Sequence, residues 1–287
     1  IYPSAYQDTI AYFETQNHQV VALTIDDGLS RGGIETSMVE DVRTMLLQYQ
    51  AHATFFVCTD YCQEFHNSNG DSTIQSLLDD GHELGNHMQA DKSFYYSRLT
   101  PDEFQRDLLD ANAFLDQLDG GMGNSAAVKI RWFRAPQGVM TPSMRQIVQE
   151  QPCMKHVLGD CYCDDWRFAQ QVDPLFSNNG PPNNSNKKND DDNEERVSLR
   201  ADQKQHQIRQ IMQEVTDVML AQVQPGSISI FHMPEKGFRQ GTLLALEFFL
   251  QALQERGYRC INLTEMHQLC HPQQETIQPE TIQREMI

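Results

Sequence analysis

The stretch ALTIDDGLS, residues 22–30, places two adjacent acids and a glycine directly after an apolar run. Uncompensated charge at the end of a buried strand is costly. The plain alternative is a strand that has reached solvent, with Asp-Gly opening a turn. Which of the two applies depends on whether the rest of the chain supplies partners for Asp26 and Asp27.

Working outward, VVALTI (20–25) reads as a buried strand, and residues 34–50 carry apolar positions at helical spacing. ATFFV (53–57) is a second short strand. A helix follows over 72–81, closed by Gly81, and HELGNH (82–87) is a third strand leading into a loop. Thr100 as N-cap and Pro101 at the first helical position open a helix through residue 118. The rhythm continues with KIRWFRAP, TPSMRQIVQE, KHVLGD, a helix near 203–222, SISIFH (227–232), a helix over 241–257 and YRCINL. Strands alternating with helices indicate parallel strands with crossover helices, as an open doubly wound sheet or a barrel.

At 287 residues the chain suits one large domain or two small ones. Forty acidic against 22 basic residues, a net charge of -18, disfavour nucleic acid and anionic membranes as partners. No apolar run is long enough to cross a bilayer. Because the sequence opens at Ile1, a lost leader is expected, and with it an extracellular or secretory location. Seven cysteines leave at least one unpaired within the chain. Neither Cys161-x-Cys163 nor Cys58-x-x-x-Cys62 has the second ligand pair of a structural zinc site. Partial disulfide bonding in a secreted protein is therefore expected, with an all-reduced intracellular chain as the rival.

Residues 176–200 hold almost no apolar side chains, so a disordered loop insertion is expected there and not a domain boundary. Within it Asn183 fits a glycosylation acceptor, and Asn262 matches the same pattern at a strand end. Residues 1–270 then form one domain, and 271–287 a peripheral tail.

Polar residues recur at strand ends: Asp26 and Asp27, then 82–91, 134–138, 160–166 and His232. In parallel α/β folds these ends share one face, where sites assemble. GHELGNHMQAD (81–91) offers His82, Glu83, His87 and Asp91 as ligands for a divalent first-row metal. His87 and Asp91, four apart, would share a face if that loop were helical, and Asp27 would complete an open three-ligand site.

Five segments in this order, TIDDG (24–28), GHELGNHMQAD (81–91), RAPQG (134–138), DCYCDDW (160–166) and SISIFH (227–232), resemble the polysaccharide deacetylases, metal-dependent carbohydrate esterases of family 4 that include chitin deacetylases. The resemblance implies a distorted (β/α) barrel holding a divalent metal, zinc first, with cobalt, nickel or manganese as alternatives. By the same resemblance Asp26 is the general base, Asp27 and His87 are metal ligands, and Asp91 stands where most members place a third-ligand histidine. The resemblance also implies that Arg134 pairs with Asp26, that a backbone amide near Gln137 holds the oxyanion, and that Pro136 lines the same pocket. Asp165 and Trp166 fall near the fourth segment at unusual spacing, and His232 is the general acid.

The implied reaction is hydrolysis of N-acetyl groups from an amino-sugar polymer or oligomer of the chitin type by a monomer with an acetylated glycan as partner. The alternatives are an O-acetyl esterase acting on xylan or another glycan, and a carbohydrate-binding protein with weakened catalysis.

Overall fold

A computed structural model describes residues 3–67, 71–119, 130–162, 165–176 and 190–272. Seven parallel strands carry the fold: β1 (Val20–Gly28), β2 (Thr54–Val57), β3 (Glu83–Asn86), β4 (Arg131–Phe133), β5 (Met154–His156), β6 (Ile228–His232) and β7 (Arg259–Ile261). They form one sheet in the order β5-β4-β3-β2-β1-β6, and β7 pairs with the first residues of β1. All nine residues of β1 are buried, as expected for a central parallel strand covered on both faces.

The two-residue period of β1 separates two environments. Val21, Leu23 and Ile25 pack outward against α1 (Val39–Gln48), α7 (Asp190–Leu220) and α8 (Thr242–Glu255). Val20 and Ala22 instead join Phe56, Trp132, Val157 and Ile228 inside the curled sheet. Thr24 and Asp26 continue that inward face, so the alternation that builds the core also turns Asp26 into the barrel mouth.

The sheet closes through one contact. Beyond β5, Cys161 bridges Ser229 of β6, with Cys161 N donating to Ile228 O (3.2 Å) and Ile230 N to Cys161 O (2.9 Å). Gly159 permits this approach, because a Cβ there would lie 2.6 Å from Ile228 O. The expected distorted (β/α) barrel is the observed architecture.

Several elements depart from expectation in detail. The first helix starts at Val39 and not near 34, because the Glu235 carboxylate ties down the preceding loop through Arg31 N and Gly32 N. The sequence reading has no counterpart for α2 (Thr59–Asn67), α6 (Asp165–Phe176) or α9 (Leu263–Cys270), whereas α3 (Asp71–Asp79), α4 (Pro101–Leu118) and α5 (Pro142–Glu150) lie where expected. Thr100 forms the anticipated cap of α4 as a full capping box with Glu103.

Of the supposed insertion at 176–200, residues 177–189, with Asn183, lie outside the described residues, and 190–200 are helical as the start of α7. The expected partial disulfide bonding has no counterpart among the described Cys58, Cys62, Cys153, Cys260 and Cys270, whose thiols are free. Cys58 and Cys62 turn their thiols toward different acceptors, His87 O and Gly28 O.

Asn262 is no glycosylation site in this fold. It is 7% exposed, caps α9 by accepting from Glu265 N (2.8 Å), and donates to Gly81 O (3.0 Å). Asn262→Ala is expected to cost about 1–2 kcal/mol, whereas Asn262→Asp keeps the cap acceptor and loses less. Urea denaturation of the three proteins measures this ordering.

Candidate metal centre at the barrel mouth

The C-terminal ends of six strands deliver the polar residues to one rim. Asp26 and Asp27 end β1, Cys58 follows β2, His87 and Asp91 follow β3, Arg134 follows β4, Asp165 opens α6 beyond the closure, and His232 ends β6. Asp26 is the direct register partner of His232, which fixes both at the same height across adjacent strands.

Arg134, 2% exposed, donates from Nη1 to Asp26 Oδ1 (2.6 Å) and Thr24 Oγ1 (2.8 Å), and from Nη2 to Leu158 O (3.1 Å). Its guanidinium also lies 4.2 Å from the centre of the Phe56 ring. Burial pulls the Arg134 pKa down, against the charge and hydrogen bond of Asp26. A buried charge held this way is tolerated because every arm has an acceptor, and removal of the partner is strongly destabilising.

A second ion pair faces the first. His232 Nδ1 and Asp165 Oδ2 are 2.8 Å apart. Burial opposes the imidazolium, but the charge and hydrogen bond of Asp165 outweigh it, so the His232 pKa is raised. Asp165 is correspondingly lowered, with burial countered by His232 and Arg239. The unusual spacing of the fourth segment therefore still brings Asp165 to His232. The Trp166 side chain lies outside the described ones.

Asp27, in the left-handed region at φ 60°, presents its two oxygens to different neighbours. Oδ2 accepts from Arg31 Nη2 (2.5 Å) and Arg239 Nη1 (2.7 Å). Oδ1 faces His87 Nε2 at 3.9 Å and Cys58 Sγ at 4.0 Å. Burial works against the charge of Asp27, yet His232, His87, Arg31 and Arg239 together hold its carboxyl well below the ordinary range. His87 Nδ1 can only donate to Arg134 O (2.8 Å), which directs Nε2 toward Asp27. Donor atoms of Asp27, Cys58 and His87 lie within 4.8 Å of one another.

This oxygen, nitrogen and sulfur set is of the kind that binds zinc, with donor atoms spaced somewhat wider than the ligands of one bound ion. The carboxylate is ionised and the histidine tautomer is fixed. The Cys58 thiol, pushed well up by burial and then by Asp27 and Asp91, must lose its proton to ligate, which is what a bound cation promotes. The residues present fit a divalent ion.

Asp91 stands apart from the expected ligand set. Its Oδ2 accepts from Arg31 Nη2 (3.0 Å), so one guanidinium nitrogen lies between it and Asp27. The loop after β3 does not form the helical turn that would set Asp91 beside His87. Cys58 is the third member of the group that could hold an ion; the spacing of paired cysteines gives no sign of it, and its place immediately after the second strand does.

His82 and Glu83 are not ligands, because they enter β3 at the opposite rim. His82 Nδ1 accepts from Ala53 N (3.2 Å), and Glu83 accepts from Thr264 and Thr54. Burial, with His52, lowers the His82 pKa to about 4. Asp160 likewise binds Ile228 N (2.8 Å) at the start of β6. Pro136 is buried, and the exposed Gln137 sits at φ 57° on the turn beyond Arg134, its Oε1 accepting from Phe94 N (3.4 Å). Phe94, Tyr95, Tyr162 and Phe238, all exposed, stand in loops of this rim.

Residues 13–154 match the family model for polysaccharide deacetylase. A curated peptidoglycan-N-acetylglucosamine deacetylase of Bacillus cereus is 26% identical over 152 residues, covering 46% of this chain and 66% of that protein. Among solved structures, a peptidoglycan deacetylase from Bacillus subtilis superimposes with a TM-score of 0.58 at 19% identity, covering 88% of this chain and 92% of that one. A family 4 carbohydrate esterase pseudoenzyme from Bacillus anthracis gives 0.60 at 18% identity, covering 90% and 68%. The structural likenesses carry the fold alone. Among the described residues, no helix is long and apolar enough to cross a membrane. Barrel, ordered motifs and family model agree: the chain belongs to the polysaccharide deacetylase family.

Proposed function

We propose that this chain is a metal-dependent glycan deacetylase that hydrolyses N-acetyl groups of an amino-sugar polymer. The observation carrying this reading is the pairing of Asp26–Arg134 with His232–Asp165 across one rim, a base and an acid each oriented by a buried partner of opposite charge. An ion at Asp27, His87 and Cys58, zinc by its donor set, would polarise the acetyl carbonyl and acidify a water.

The protein's own groups do the rest. Asp26, kept oriented by Arg134, accepts the proton of the attacking water. The amide at Gln137 donates to the developing oxyanion, a role independent of its side chain. His232 Nε2 delivers a proton to the leaving nitrogen while Asp165 holds the imidazolium, and acetate and a free amine depart. Exposed aromatic rings beside the site suit the faces of sugar rings. The peptidoglycan N-acetylglucosamine deacetylase relative points to the same substrate class.

A second reading, a glycan-binding chain without turnover, draws on the two arginines that already neutralise Asp27, and on the likeness to a family pseudoenzyme. Acetate release decides between them. Zinc-loaded protein is expected to free acetate from N-acetylglucosamine oligomers or peptidoglycan; release from acetylated xylan alone would make it an O-acetyl esterase, and tight glycan binding with no release from any of the three would leave the second reading.

Asp26→Asn is expected to lower kcat by about 100-fold or more and to retain the metal, as read by elemental analysis. It should also lower Tm, because Arg134 keeps its buried charge without a countercharge. Asp165→Asn removes the group that raises the His232 pKa. An acid works in its protonated form, below its pKa, so the alkaline limb of the kcat/KM profile should move to lower pH. A limb that stays in place would remove His232 from the role of acid.

A further inference from the structure

The Arg31 guanidinium is held in place from several sides. Its loop is anchored by the buried Glu235 carboxylate, which accepts from Ser30 Oγ (2.9 Å), Arg31 N (2.8 Å) and Gly32 N (3.0 Å). The guanidinium lies 5.5 Å from the ring centres of both Tyr61 and Phe238. Tyr61 in turn accepts from Asp91 N (3.2 Å), fixing the residue that Arg31 grips. Arg239 approaches Asp27 from the other side, its backbone N donating to Asp173 Oδ2 (2.7 Å). Two separate carboxylates, Glu235 and Asp173, thus set two arginines against one oxygen of Asp27.

This arrangement limits which oxygens an ion can reach. Hard cations such as manganese and magnesium favour several oxygen ligands. Here Asp27 Oδ2 is engaged by both arginines and Asp91 Oδ2 by Arg31, and among the described residues Asp27 Oδ1 is the carboxylate oxygen grouped with His87 and Cys58. Among the described residues, Asp91 Oδ1 and the Nε atoms of Arg31 and Arg239 are buried without a hydrogen-bond partner, so the latch has polar capacity unspent and an alternative arrangement is within reach.

We propose that Arg31 is a selectivity latch: by binding Asp91 Oδ2 and Asp27 Oδ2 through one nitrogen, it occupies Asp91 as an ion-pair partner, leaves the third coordination position to Cys58 and commits the centre to a thiophilic dication. The proposal rests on the reading that Asp27 and His87 hold an ion, and it adds which residue decides the ion's identity. Released from Arg31, Asp91 supplies carboxylate oxygen in place of sulfur.

The test uses the full chain stripped with a chelator and titrated separately with zinc and manganese against a chromogenic competitor, with circular dichroism confirming folding. Wild-type protein is expected to bind one zinc, with manganese at least about 100-fold weaker. Asp91→Ala should leave zinc affinity within about threefold, since Asp91 is no ligand, while Cys58→Ser should weaken zinc by about 10–100-fold. Arg31→Ala should narrow the zinc-to-manganese ratio by about tenfold or more by freeing Asp91, and Arg31→Ala with Asp91→Ala should restore the wide ratio.

Folded wild-type protein that takes up no zinc, Asp91→Ala that loses zinc, or Arg31→Ala with an unchanged ratio would each overturn the latch. Because affinity is read without turnover, an inactive protein that follows this pattern contradicts only the deacetylase reading. An active protein that departs from it contradicts only the latch.

Discussion

The divided carboxylate of Asp27 is the constraint on which the rest of the mouth depends. One oxygen is given to two guanidinia and the other to a pocket of donors, all within a region where an isolated charge would be untenable. The strand pattern makes this possible. Alternation along β1 sends Asp26 inward to Arg134, and the left-handed backbone at Asp27 turns the next carboxylate toward β2 and β3. Two adjacent acids thereby serve two different charge systems without sharing a partner.

Those systems sit on a barrel closed by one bridge. The contact of Cys161 with β6, permitted by Gly159, carries the chain from β5 across to the rim where α6 presents Asp165 to His232. Packing and polar contacts are linked here: the closure that completes the core also sets the distance between His232 and the Asp165 carboxylate that orients it. At the other end α9 caps the interior, with Trp132 Nε1 donating to Thr264 Oγ1 (2.9 Å) and Glu83 tied to the same threonine. The two rims divide the polar residues into those that stabilise and those available for chemistry.

The strands, their order and the rim were legible because each strand is a short apolar run ending in polar residues, and because caps such as Thr100 announce helices. Asp26, Arg134, His87 and His232 could be placed from strand ends and family motifs. Asp91 could not, since four-residue spacing brings side chains together only on a helix and its loop is irregular. Arg31, Arg239 and Glu235 left no periodic trace; they meet Asp27 through loops whose course depends on tertiary contacts. Cys58 is marked by its position after the second strand and not by any spacing of paired cysteines. The start of α7 was hidden by a polar composition that reads as unstructured.

X-ray absorption at the zinc edge of the loaded protein tests the central claim most directly. One sulfur scatterer at about 2.3 Å among nitrogen and oxygen neighbours is the result expected from a centre built of Asp27, His87 and Cys58. A shell of nitrogen and oxygen alone would contradict it.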